Sequence, residues 1–279
     1  MAATRGAVAR PVAMVGGGQM ALALAEGFCR RGLLAADEIV VHDPAPAARE
    51  RLAERVPGIR FADGPAEAVR GAELVFLAVK PQQAEGACRA FAAALAPGAT
   101  VVSIAAGITI DTLAGWLGTR RVVRVMPNTP CLVGRGVSAW SRGAEVTDAA
   151  AAATAALLES VGSAHEVPES LLDAVTGVSG SGPAYVALVI EALADGGVLE
   201  GLPRALALDL AVATVAGTGD LVAQGGEHPA VIRERVASPG GTTIAALAVL
   251  EARGVRGAFI DAVRASAARA RELGRPRPG

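Results

Sequence analysis

Short runs with almost no polar side chains, at residues 12–15, 74–79, 100–104 and 122–126, alternate with helix-like stretches over the first half of the chain. A strand wetted on one face alternates apolar and polar residues, whereas a strand covered on both faces does not. The runs therefore describe a sheet buried on both sides. The usual solution is a parallel sheet with crossover helices packed above and below it. Further strands are expected at 38–42 and 137–141, and helices at 19–31 and 46–56. The fold class of this half is α/β, with a doubly wound, mainly parallel sheet.

The first buried strand runs into Gly16-Gly17-Gly18-Gln19-Met20-Ala21, which reads G-x-G-x-x-A and opens a helix. That is the context a dinucleotide-binding turn requires. Gly16 permits the tight turn, Gly18 lets the backbone approach a pyrophosphate, and Ala21 allows close helix–strand packing. The competing reading is a glycine turn without a ligand. Asp43 ends the second strand, where an acid accepts ribose hydroxyls and repels a 2′-phosphate, or else caps the next helix. Arg49 stands close enough in sequence to reach such a phosphate.

Ligands of open parallel sheets lie at the carboxyl ends of strands. Three special segments fall there: Val79-Lys80-Pro81; residues 103–107, with Ala105; and Met126-Pro127-Asn128-Thr129-Pro130. Lys80, the single lysine of the chain, donates toward a ligand or is simply solvated. Small residues around Ala105 leave room for a planar ring, and Asn128 offers a polar group between two prolines.

After about residue 163 the pattern changes to Ala/Leu-rich helical stretches, expected near 169–176, 183–199, 204–224, 229–237, 243–252 and 256–273. The domain boundary is placed accordingly, with a sheet domain at 1–163 (1–10 flexible) and a helical domain at 164–279. The tail 275–279 is expected to fray. The stretch 204–224 is too apolar for a small helical domain standing alone, which points to a homodimer through this half. Within it lies Ser238-Pro239-Gly240-Gly241-Thr242-Thr243. Two glycines leading into a helix leave amides free at the positive end of the helix dipole, an arrangement suited to a carboxylate. Glu227 is either a polar group near that site or a helix-entry carboxylate.

Composition removes several classes. Aromatic residues are 3% of the chain and the formal net charge is −1, so neither stacking platforms nor a basic stripe for nucleic acid exist. Charges interrupt every long apolar run, so no membrane span is expected. The N-terminus lacks the apolar core of a signal peptide. Cys29, Cys88 and Cys131 follow no zinc or disulfide spacing, and the three histidines no metal spacing, which fits a metal-free protein of a reducing cytoplasm.

Together with Ser179-Gly180-Ser181-Gly182-Pro183-Ala184-Tyr185 and Gly226-Glu227-His228-Pro229, these motifs resemble the pyrroline-5-carboxylate reductase family, in the family's order and over nearly the whole chain. The resemblance implies an N-terminal Rossmann domain and an all-α C-terminal dimerisation domain, sometimes assembled further into five dimers. It implies reduction of Δ1-pyrroline-5-carboxylate to L-proline by NAD(P)H. On this reading Gly16, Gly18, Gln19, Met20, Asp43, Val79, Lys80, Pro81, Ala105 and Asn128 serve the cofactor. Ser238, Gly240, Gly241, Thr242, Thr243 and Glu227 serve the substrate, with the Thr243 hydroxyl on the imine nitrogen as the catalytic contact. The family favours NADPH, and Asp43 departs from its small polar residues at that position. The alternatives are a six-membered cyclic-imine or keto-acid reductase and a non-catalytic nicotinamide-binding protein; the latter has no need of Thr243.

Overall fold

The computed structural model describes residues 11–274, so the expectations for 1–10 and 275–279 lie outside the described residues. Contacts divide the chain into two compact units, one running to Gly180 and resuming at Ser266, the other spanning residues 181–265.

The first unit is built from β1 (Val12–Val15), α1 (Gln19–Arg30), β2 (Ile39–His42), α2 (Pro46–Arg55), β3 (Arg60–Phe61), α3 (Pro65–Ala68), β4 (Leu74–Leu77), α4 (Pro81–Phe91), β5 (Thr100–Ser103), α5 (Ile110–Leu117), β6 (Val122–Met126), β7 (Gly136–Arg142), α6 (Asp148–Glu159), β8 (Gly162–Glu166) and α7 (Leu172–Val175). Strand order is β3-β2-β1-β4-β5-β6-β7-β8, and the pairing is parallel except between β6 and β7. Val12 pairs with Ile39 on one side and Leu74 on the other. The winding therefore reverses direction at β1, which opens a crevice at the carboxyl ends of β1 and β4.

Helix starts follow local chemistry. Proline occupies the first position of α2, α3 and α4, where a missing N–H costs nothing. Thr109 and Thr147 cap α5 and α6 by accepting from Thr112 N and Ala150 N, both at 3.2 Å. Both faces of the sheet are packed. Phe28 of α1 lies on Phe76 of β4 with ring centroids 5.5 Å apart, while Leu77, Phe91 and Leu113 fill the other side.

Two differences from the sequence expectation have physical causes. Strand β8 carries the sequence Gly-Ser-Ala-His-Glu, has no apolar run, and is held by its parallel register with β7 instead. In place of one helix at 169–176 the chain makes a 3-10 turn (Glu169–Leu171), α7 and a π-helical turn (Thr176–Gly180). Thr176 and Ser179 hydroxyls donate to the carbonyls four residues back, at 2.9 and 3.1 Å, which loosens the helix there.

Next come α8 (Gly182–Leu199), α9 (Arg204–Gly225), α10 (Pro229–Val236), α11 (Thr242–Ala252) and α12 (Val255–Leu273), whose last turns belong to the first unit. In the second unit α8 and α9 bury Ala194, Ala207 and Ala211 between them. Most of their apolar surface is bare: Leu188, Leu199 and Leu221 are 63%, 86% and 55% exposed. By length and composition the stretches Glu169–Leu199 and Arg204–Gly225 would suffice to cross a bilayer.

Candidate active site

The turn after β1 is shaped by its neighbours. Gly16 has φ +103° and donates its N–H to His42 O at 2.8 Å. A Cβ at Gly16 would stand 2.6 Å from Ala78 O, and one at Gly17 would stand 2.8 Å from Leu52 Cδ1. At Gly18 a Cβ would meet nothing within 4 Å, so the space beside it is open. The first intrahelical bond of α1 runs from Leu22 N to Gly18 O at 3.0 Å. The N–H groups of Gln19, Met20 and Ala21 thus lack an intrahelical acceptor and point out of the positive end of the helix. A cradle closed on its protein side and open on its amide side fits a pyrophosphate.

A cleft of about 430 Å³ extends from this turn, lined among others by Val15, Gly16, Gly18, Asp43, Val79 and Lys80. Asp43 Oδ2 accepts from Gly17 N at 2.7 Å and Oδ1 accepts from Ala45 N at 2.8 Å. Its carboxylate braces the glycine turn and the entry to α2, yet each oxygen keeps a second lone pair for a further donor. Lys80 is exposed at the N-cap of α4. Pro65, Gln83 and Ala87 also line the cleft, and none was singled out from the sequence. The readable signal was Pro81 as a helix start, which puts residues 83 and 87 on one face of α4.

Ala105 and Asn128 do not line this cleft; they sit at the ends of β5 and β6. Ala105 is buried and donates its N–H to Ser103 Oγ at 3.3 Å. Asn128 is buried too, and its Oδ1 accepts from Val137 N at 2.9 Å, which orders the β6–β7 connection. Pro81 borders a second cleft with Gly107, Thr112 and Leu273.

In the second unit Gly240 takes φ +67° and Gly241 is the N-cap of α11. The Gly241 N–H is used inside the turn, donating to Ser238 O at 3.0 Å. The first intrahelical bond runs from Ala245 N to Gly241 O, leaving the amides of Thr242, Thr243 and Ile244 without an intrahelical acceptor. Ser238 and Thr242 are exposed and Thr243 is half-buried. Glu227 makes a two-pronged ion pair with Arg235, at 2.5 and 2.6 Å, ahead of α10.

The thiols are not built for chemistry. Burial pushes Cys88 up to about 12 and raises Cys29 and Cys131 above the ordinary thiol range, so all three stay protonated at neutral pH. Among the described residues no group of three or more His, Cys, Asp or Glu side chains could hold a metal ion.

A glycine cradle at the reversal point of a doubly wound sheet, with an amide-rich turn on a separate helical unit, defines a nicotinamide-dinucleotide oxidoreductase of the Rossmann type. Two family models match the two parts: NADP oxidoreductase, coenzyme F420-dependent, over residues 11–107, and pyrroline-5-carboxylate reductase dimerisation over residues 169–273. A pyrroline-5-carboxylate reductase of Synechocystis sp. is 46% identical, with 94% of this chain and 97% of the relative covered. The solved reductase from Coxiella burnetii matches with a TM-score of 0.89 at 30% identity, covering 96% of this chain and 99% of that one. The Plasmodium falciparum pyrroline carboxylate reductase, solved with NADP bound, matches at 0.86 and 29% identity, covering 95% and 98%. The chain belongs to the pyrroline-5-carboxylate reductase family.

Proposed function

We propose that this chain reduces Δ1-pyrroline-5-carboxylate to L-proline, as the final step of proline synthesis. The observation that carries this reading is 46% identity to a pyrroline-5-carboxylate reductase across 94% of the chain. A bound reduced nicotinamide supplies the hydride. It adds to the C=N carbon, the π electrons pass to nitrogen, and that nitrogen already holds its proton in the iminium form. No strong protein acid is needed for that step.

The chain's own contribution is binding and orientation. The Gly16–Gly18 turn and the α1 amides hold the pyrophosphate, with Gln19, Met20, Val79, Lys80 and Pro81 beside it. The turn at 238–243 takes the substrate carboxylate through the amides of Gly240 and Thr242, because that of Gly241 is already committed to Ser238. The Thr243 hydroxyl serves the imine nitrogen.

The preferred cofactor on this reading is NADH. Asp43 puts a negative charge in the cleft at the end of β2, where it receives ribose hydroxyls and opposes a 2′-phosphate, and Arg49 is not among the cleft residues. The bare apolar faces of α8 and α9 support a homodimer through the helical unit, on which a decamer can be built. Three buried or half-buried free thiols suit a cytoplasmic setting.

The test is oxidation of NADH and NADPH, side by side, with pyrroline-5-carboxylate and with its six-membered homologue. Turnover on the five-membered ring with NADH ahead is expected. Turnover confined to the six-membered ring, or binding without turnover, would replace the reading by one of its two alternatives. Thr243→Ala is expected to lower kcat/KM by about a hundredfold with NADH affinity unchanged. Asp43→Ser is expected to move the NADPH/NADH ratio upward by about tenfold; an unchanged ratio would remove Asp43 from the ribose site.

A further inference from the structure

The segment between β5 and α5, residues 104–109, carries the buried Ala105, which the family resemblance assigns to the cofactor. It is anchored by chain that lies far later in the sequence. At its outer end Ile110 N donates to Glu169 Oε1 at 2.8 Å. The same oxygen accepts from Arg124 Nη1 at 3.2 Å, and Arg124 Nη2 donates to Asp173 Oδ1 at 3.2 Å. The Arg124 side chain is only 8% exposed. A buried guanidinium left without its partners is strongly unfavourable, so Glu169 is fixed in place. Thr109 caps α5 at Thr112 N, and Glu169 takes the separate Ile110 amide, where the loop joins the helix. The Glu169 bond therefore fixes the end of the loop together with the start of α5.

In the middle of the loop the last turn of α12 lies against Gly107, which has φ +80°. A Cβ at Gly107 would stand 3.3 Å from Leu273 Cβ, and one at Gly274 would stand 2.7 Å from Gly107 O. Two glycines are therefore needed for backbone to meet backbone. Ala267 and Ala270, on the same end of α12, are buried. The inner end of the loop is tied at Ala105 N to the fully buried Ser103 hydroxyl.

We propose that Glu169, Gly107 and Gly274 are positioning residues for the nicotinamide half of the cofactor. The part of the chain matched by the dimerisation family model, with the residue just past it, reaches back to set the β5–α5 loop. This rests on the reductase reading for which half of the cofactor the loop faces. Hydride transfer depends steeply on the placement of the ring, whereas the ADP-ribose part, with its pyrophosphate at the Gly16–Gly18 cradle, does not depend on this loop.

The experiment uses the full chain with Gly274→Val, Glu169→Ala and Glu169→Gln, and reads the affinities for NADH and ADP-ribose together with kcat and KM. In Gly274→Val and Glu169→Ala the affinity for ADP-ribose should stay within about twofold, while kcat and the NADH-to-ADP-ribose affinity ratio fall about tenfold. Glu169→Gln keeps an acceptor for Ile110 N and should recover most of the ratio. An unchanged ratio and kcat in both disruptive variants would overturn the proposal, and so would a parallel loss of ADP-ribose binding, which marks general loosening. If Gly274→Val does not fold, the two Glu169 variants decide alone. If the unaltered protein binds NADH but leaves pyrroline-5-carboxylate untouched, the reductase reading fails while the affinity ratio still tests the loop.

Discussion

Two glycine turns open helices in this molecule, and they are constructed in opposite ways. The turn at Gly16–Gly18 is walled by its own domain: Ala78 O stands against Gly16, Leu52 and Asp43 against Gly17, and only Gly18 faces open space. The turn at Gly240–Gly241 has the same left-handed glycine and the same unpaired helix amides. Yet nothing lies within 4 Å of a Cβ at Gly240, and Ser238 and Pro239 are exposed. The wider surroundings repeat the contrast. Phe28, Phe76 and Leu77 are fully buried around the sheet, whereas Leu188, Leu199 and Leu221 stand bare on α8 and α9. A sheet covered on both faces completes its own site. A helical unit with this much exposed leucine is in keeping with the homo-oligomerisation of its family, and the proposed dimer would supply the walls its turn lacks.

The largest expected effect tests that completion. Leu210 on α9 is 50% exposed in the single chain, so Leu210→Asp should leave an isolated unit folded. In an apolar interface the same unpaired carboxylate costs several kcal/mol. Light scattering should show the mass of one chain, with turnover reduced by about a hundredfold or more and NADH binding kept within a few-fold. A monomer with full turnover would break the comparison, because the second turn would then need no outside wall.

Gly16→Ala probes the self-contained turn. An alanine there meets both the left-handed φ and the Ala78 carbonyl, a backbone atom that cannot swing aside. Stability should fall by about 2–3 kcal/mol in denaturant unfolding, and NADH binding should be lost. A loss below about 0.5 kcal/mol would mean that the turn is less rigidly walled than its neighbours imply.

The same contrast governs what the sequence could disclose. Strands covered on both faces write themselves as apolar runs, so β1, β4, β5 and β6 were legible to within a residue or two. Both helix-opening turns were legible because each carries a glycine at positive φ, Gly16 and Gly240, just ahead of a helix. Strand β8 was not, since its residues 162–166 pair by register and not by burial. Neither was the Arg124–Glu169–Asp173 cluster, because a charged residue inside an apolar run says nothing about partners 45 and 49 positions away. Pro65, Gln83 and Ala87 were missed for a different reason: they are ordinary residues made relevant by the crevice they border.

The smallest effect on the fold is the one that separates a turn held for its own sake from one held for a ligand. Gly18 sits at φ −68° and ψ −176°, a backbone conformation any residue adopts, and a Cβ there meets nothing within 4 Å. Folding therefore gives no reason for glycine at this position. Gly18→Ala should change stability by less than about 0.5 kcal/mol in denaturant unfolding. The added methyl would occupy the space in front of the α1 amides, where a pyrophosphate must approach the backbone closely. NADH and ADP-ribose affinities should therefore fall together, by about tenfold, with their ratio unchanged. This is the reverse of the pattern expected for Glu169→Ala. If Gly18→Ala bound both as tightly as the unaltered chain, the cradle would have to be sought elsewhere along the cleft. If it lost stability instead, the openness beside Gly18 would not be the property that glycine serves.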